Sequence, residues 1–112
     1  MNGWTTEIKE TRETAAVAAW AIAKAANRER HAAQKRGDKK AAQDYSRMKV
    51  RAMLRAFNLA PERVTAYTQY WNGQFHLSIK CAGHGGLHLP LSFAVYFGIE
   101  SDPRPMLNKL GS

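Results

Sequence analysis

Apolar and polar positions alternate on two different periods along this chain, and the change falls near residue 60. Positions 4, 8, 11, 15, 18, 22 and 25 (Trp4, Ile8, Thr11, Ala15, Ala18, Ile22, Ala25) recur at alternating steps of four and three, a stripe down one side of a helix. Thr5 or Thr6 suits its N-cap, with Glu7 and Glu10 near the positive end of the dipole. Gly37 suits a left-handed C-terminal position and Asp38 the cap of a following helix. The pattern therefore predicts two antiparallel helices, 5–36 and 38–57, joined at Gly37. One continuous helix through residue 57 would carry Gly37 in its interior at a cost of about 1 kcal/mol. The inward face of the second helix reads as Ala41, Tyr45, Met48, Ala52, Met53, Ala56 and Phe57, with Lys49 as a charge among them.

Asn58 and Pro61 end the helical pattern, and from Val64 the residue choice turns to Thr, Tyr, Trp, Val and Phe, a strand composition. Asn72-Gly73 is the preferred pair for a two-residue type I′ hairpin. That turn sets a register: Trp71 opposite Gln74, Tyr70 opposite Phe75, Thr68 opposite Leu77, Ala66 opposite Ile79 and Val64 opposite Cys81. Because strand side chains alternate, the pairs from Val64 to Phe75 share an apolar face. Thr65, Tyr67, Gln69 and Trp71 share the other with Lys80, Ser78, His76 and Gln74. A second turn lies in "AGHGG" (82–86). Read as a five-residue loop, it places His88 opposite Lys80. "LHLPLSF" supplies a third strand, kept at an edge by Pro90, and residues 92–98 a short helix ending at Gly98. Residues 101–112 read as a loosely ordered tail. The fold expected is α+β: an N-terminal antiparallel helical hairpin packed on a small three-stranded antiparallel sheet (64–92) with a short C-terminal helix, one domain over residues 1–112.

Charge changes the picture. The net charge is +8, and residues 28–63 hold eleven basic and four acidic side chains. Charge of one sign concentrated this way repels itself and is relieved by an acidic partner. Lys40, Arg47, Arg51 and Arg55 fall within a wedge of about 60–80° on the second helix, where Asp44 is the one acid. Arg28, Arg30, Lys35, Arg36 and Lys39 extend the positive zone around the turn. Arginine outnumbers lysine on the stripe, as expected where forked donors meet phosphate or carboxylate. The longest apolar-looking run, residues 14–26, is interrupted by Lys24 and falls short of the roughly 20 residues a membrane span requires. No signal-peptide pattern opens the chain, so a cytoplasmic protein with no membrane partner is expected.

Three of the four histidines and the only cysteine lie between residues 70 and 88. Cys81, His84 and His88 have spacings that zinc accepts, with His76 as a fourth ligand. Strand parity opposes this set, because Cys81 and His76 leave opposite faces of the sheet, and Cys81 reads instead as a small buried hydrophobe. "HLSI" (76–79) resembles the His-x-Ser/Thr-hydrophobic signature of the two-histidine phosphoesterases, which implies action on RNA-type phosphodiesters. The second motif that family requires has its nearest match in "HLPL" at His88, where Pro90 replaces the hydroxyl residue. No carboxylate in this stretch can orient an imidazole. The glycines around His84 match no Walker or dinucleotide pattern. A helix followed by three strands and a helix is similar in order to the double-stranded-RNA-binding domain, but that family's Lys-Lys cluster at the last helix is missing from "LSFAVYFGIES".

No catalytic residue, metal ligand or cofactor is assigned on these grounds. The leading expectation is a non-enzymatic binder of DNA, RNA or a nucleoprotein, monomeric or homodimeric. Lys40, Arg47, Arg51, Arg55, Arg36 and Lys39 would meet phosphates, and Tyr67, Trp71, His76 and Lys80 would add a sheet surface for bases. A second reading is an inhibitor or adaptor, such as a phage or mobile-element factor that docks on the acidic surface of a nucleic-acid-handling protein. A third is a small ribonuclease using His84 or His76.

Overall fold

Two α-helices open the chain, α1 over Asn2–Arg36 and α2 over Lys39–Leu59, followed by a 3₁₀ turn at Pro61–Arg63. Three strands follow, β1 (Val64–Trp71), β2 (Gln74–Cys81) and β3 (Gly86–Leu89), then a 3₁₀ helix at Leu91–Phe97. The structure is a computed structural model that describes residues 2–98, and the side chains of residues 11–70 and 72–98. The class is α+β. The chain divides into two compact units, Met1–Arg63 and Val64–Ser112.

The helical unit is a hairpin with a two-residue connection. Gly37 has φ 75°, a conformation that a Cβ would penalise. Its N–H donates to Gln34 O at 3.1 Å and the Asp38 N–H donates to Ala33 O at 3.0 Å, a Schellman closure of α1. Asp38 then caps α2 by accepting from the Ala41 N–H at 3.1 Å. At the open end of the hairpin, Arg63 Nη1 donates to Glu13 Oε2 at 3.1 Å, both side chains part-buried. Between these two closures the helices meet along alanines: Ala16, Ala19, Ala23, Ala26 and Ala33 from α1, and Ala42, Ala52 and Ala56 from α2. Among the described residues of the hairpin, only Trp20 and Met53 add large, fully buried side chains.

Three expectations about the hairpin are corrected. Helix α1 begins at Asn2, so Thr5 and Thr6 lie inside it rather than capping it at residue 5. Its buried stripe is Ala16, Ala19, Trp20, Ala23 and Ala26, one position round from the stripe expected through Ala15, Ala18, Ile22 and Ala25. Ala18 is exposed and Ile22 is 54% exposed. The side chains of Trp4 and Ile8 lie outside the described residues. In a run so rich in alanine two neighbouring stripes are equally apolar, and the one carrying the indole wins because it buries the most area. Helix α2 also continues past residue 57 to Leu59, and Met48, expected on the inward face, is 47% exposed, while Lys49 is buried on that face where the pattern places it.

The sheet has strand order β1-β2-β3, antiparallel throughout. The register between β1 and β2 is the one set by the Asn72-Gly73 turn, from Val64 opposite Cys81 to Trp71 opposite Gln74. Both turn residues have positive φ, 51° and 73°, as a type I′ turn requires. The second turn differs from expectation. Cys81 O accepts from the His84 N–H at 2.9 Å and the Cys81 N–H donates to Gly85 O at 3.1 Å. The loop is thus three residues, Ala82–His84, and His88 sits opposite Ser78 rather than Lys80. Positive φ at Gly83 and Gly85, 78° and 79°, allows this tighter closure. Strand β3 stops at Leu89, before Pro90, instead of running to residue 92, and the expected 92–98 helix is a 3₁₀ helix that ends at Gly98 in the left-handed conformation. Leu77, Ile79, Cys81, Leu87 and Leu89 are buried on one face of the sheet, and Leu91, Ala94 and Phe97 from the 3₁₀ helix are buried as well. The expected tail at 101–112 lies outside the described residues.

Candidate functional site

Helix α2 owes its charged ridge to its own periodicity. Steps of seven, four and four return Lys40, Arg47, Arg51 and Arg55 to one side, opposite the buried Ala42, Lys49, Ala52 and Ala56. All four cations are exposed, as are Arg36 and Lys39 beside the Gly37 connection. Asp44 is the acid on this side, and its carboxylate stands 3.9 Å from Arg47 Nη1 with both side chains more than half exposed. A contact that long between solvated groups contributes about 1 kcal/mol or less, so Arg47 is not tied down, and four cations less one acid leave the ridge a formal charge of +3. Toward the C-terminal end the ridge borders a shallow groove of about 550 Å³ lined by Arg51, Leu54, Arg55, Asn58 and Leu59. The arginines of this groove were legible in the sequence; Asn58 reads there as a helix terminator, although α2 runs on to Leu59, and nothing in the pattern marks Leu54 and Leu59 as lining a groove.

Behind the ridge lies a second cationic feature. Lys49 is buried, at 6% exposure, in the hairpin interior. Desolvation, with the Arg30 guanidinium as a second cause, lowers its pKa from 10.5 to about 8. Arg30 Nη2 donates to Asn27 Oδ1 at 3.0 Å, while its buried Nε has no hydrogen-bond partner among the described residues. Cations thus occupy the hairpin's interior as well as its surface.

The outward face of the sheet carries the remaining expected residues. Tyr67 is half-buried with Lys80 Nζ 5.6 Å from its ring centroid, a cation–π contact that already occupies that ring face. His76 is half-buried opposite Gln69. The backbone of Trp71 is paired with Gln74, and its side chain lies outside the described residues. The tightened second turn creates a network that the expected register hid. Ser78 Oγ, nearly inaccessible, donates to Gln69 Oε1 at 2.9 Å and lies 3.0 Å from His88 Nδ1. A hydroxyl has one proton to give, so in this arrangement Ser78 accepts from His88 Nδ1–H. An activated nucleophile would instead donate its proton to the imidazole.

No protein-family model matches the chain, and no curated protein or solved structure is significantly similar to it. What the site can do therefore rests on its own chemistry. Cys81 is buried on one face of the sheet and His76 stands on the other, so the zinc set does not assemble. Among the described residues no three His, Cys, Asp or Glu side chains come close enough to hold a metal ion. His84 is half-buried in the turn, where its N–H is engaged by Cys81 O. No helix among the described residues is long and apolar enough to cross a membrane.

Proposed function

We propose that this protein is a small basic, non-enzymatic binder that engages nucleic acid or a nucleoprotein through Lys40, Arg47, Arg51 and Arg55. The observation that carries this reading is the exposure of four cations on one helix face with a single carboxylate, Asp44, among them. Phosphates spaced along a nucleic-acid backbone suit such a row, and release of their counterions drives association. Arg36 and Lys39 extend the row past the Gly37 connection. Tyr67, His76 and Lys80 on the sheet supply rings and charge that suit exposed bases, with Trp71 next in the same alternation.

Affinity for a mixed-sequence oligonucleotide, measured by fluorescence anisotropy from low to moderate salt, is expected to fall steeply as salt rises. An Arg47/Arg51/Arg55→Ala variant is expected to flatten the log–log slope by roughly 2–3, near one unit per lost phosphate contact. An unchanged slope in the variant overturns the assignment of the ridge. A second reading, docking on a protein partner as an inhibitor or adaptor, is favoured by Tyr70, Val95 and Tyr96, each more than half exposed on the sheet unit. Retention of a partner protein by a chain that ignores naked nucleic acid would select it.

A further inference from the structure

We propose that the groove beside Arg51 and Arg55 receives an unpaired nucleotide, so that the ridge prefers single-stranded over duplex nucleic acid. The inference rests on the nucleic-acid reading above and names the form of ligand. Its lining residues fall at steps of three, four, seven and eight from Arg51, so one patch of α2 presents them all. Arg51, Arg55 and Asn58 are exposed, while Leu54 and Leu59 are half-buried between and below them.

A duplex would use only part of that mixture. A double helix offers phosphates and groove edges and keeps its base faces stacked inside. Two arginines suffice for its phosphates, and two leucines gain nothing from them. An unpaired nucleotide offers three chemistries at once. Its phosphate meets the Arg51 and Arg55 forks, its base edge meets the two-sided donor and acceptor of the Asn58 amide, and its apolar face covers Leu54 and Leu59. The guanidinium planes add stacking surface of the kind single-strand binders use. A volume of about 550 Å³ lies inside the range of roughly 300–1,000 Å³ typical of small-ligand sites.

Anisotropy with a labelled 12-mer, alone and annealed to its complement, tests this on the full chain. The single strand is expected to bind roughly five- to tenfold tighter than the duplex at equal salt. Leu54→Ser and Asn58→Ala, each checked for helicity by circular dichroism, are expected to erase most of that preference. Both are expected to leave duplex affinity and its salt slope in place. Asn58 is exposed, so its variant stays informative even where Leu54→Ser disturbs the hairpin. Equal affinity for both forms, or a preference that survives both variants, overturns the inference and leaves the ridge as a general phosphate binder. Failure to bind either form overturns the nucleic-acid reading beneath it.

Discussion

The helical hairpin and the sheet unit hold themselves together by different means. The sheet unit spreads its buried volume over Leu77, Ile79, Leu87, Leu89, Leu91 and Phe97. Among its described residues the hairpin buries mostly alanine and concentrates its large buried side chains in Trp20 and Met53. Charge divides the other way. Residues 1–63 carry fourteen basic and seven acidic side chains, and residues 64–112 carry three and two. The region with the smaller apolar side chains thus carries nearly all the excess charge, whose self-repulsion works against folding. A polyanion that binds the folded hairpin and not the unfolded chain stabilises it by mass action and by relieving that repulsion. Structure and proposed function are therefore coupled most tightly in the hairpin.

The largest test of this contrast is Trp20→Ala. Trp20 is fully buried and stands among alanines that cannot expand to fill the space it leaves. Its removal is expected to cost about 3–5 kcal/mol, a large share of the roughly 5–15 kcal/mol that holds a typical domain folded. The indole Nε1–H has no hydrogen-bond partner among the described residues, so Trp20→Phe sheds an orphan donor and is expected to cost much less. Denaturant unfolding followed by far-ultraviolet circular dichroism reads both. If Leu87→Ala in the sheet destabilises more than Trp20→Ala, the hairpin is not the concentrated core described above.

The same contrast explains what could be read from the sequence. In the sheet, one turn fixed eight pairs, because Asn72-Gly73 admits few geometries and strand parity carries its register outward. The stretch 82–86 has three glycines, Gly83, Gly85 and Gly86, and hence several ways to close. The five-residue reading exceeds the true loop by two residues, which preserves the face each side chain takes but conceals the Ser78–His88 contact. In α1 the local pattern could not choose a face, since Ala15, Ala18 and Ala25 are as apolar as Ala16, Ala19 and Ala26. Only the partner helix decides. The ridge on α2 was legible because arginine at a helical step has no competing buried role, whereas the leucines of the groove look like ordinary core until the fold leaves them at its rim.

The interior cation offers a smaller and more selective test. Lys49 has a folded pKa of about 8 against an ordinary 10.5. Between those values the unfolded chain binds more protons than the folded one, so stability rises as pH climbs from 8 to 10.5. Below pH 8 the full penalty applies, about 3 kcal/mol by linkage. Lys49→Met keeps the length of the side chain without the charge. It is expected to stabilise the hairpin by up to about 3 kcal/mol at pH 7 and to flatten the rise above pH 8. Urea midpoints for both proteins at pH 6, 7, 8, 9 and 10 check the sign. Parallel curves would mean that Lys49 contributes no such penalty.

The smallest expected effect on stability discriminates best between a binding ridge and an idle one. Asp44 lies on the ridge, 3.9 Å from Arg47 Nη1 with both groups well exposed, so Asp44→Asn is expected to move stability by less than about 0.5 kcal/mol. Its effect on binding has the opposite weight. Removing the one carboxylate beside Arg47 takes away a repeller of phosphate and releases the guanidinium to the ligand. Affinity for an oligonucleotide is expected to rise roughly two- to threefold at low salt, and the gain to shrink as added ions screen the site. A ridge that only keeps the hairpin solvated has no reason to respond, because solvation is indifferent to one acid among many cations. Unchanged affinity beside unchanged stability would therefore remove the ridge from the binding surface, while a salt-sensitive gain places the bound polyanion within screening distance of Asp44, about 10 Å at 0.1 M salt.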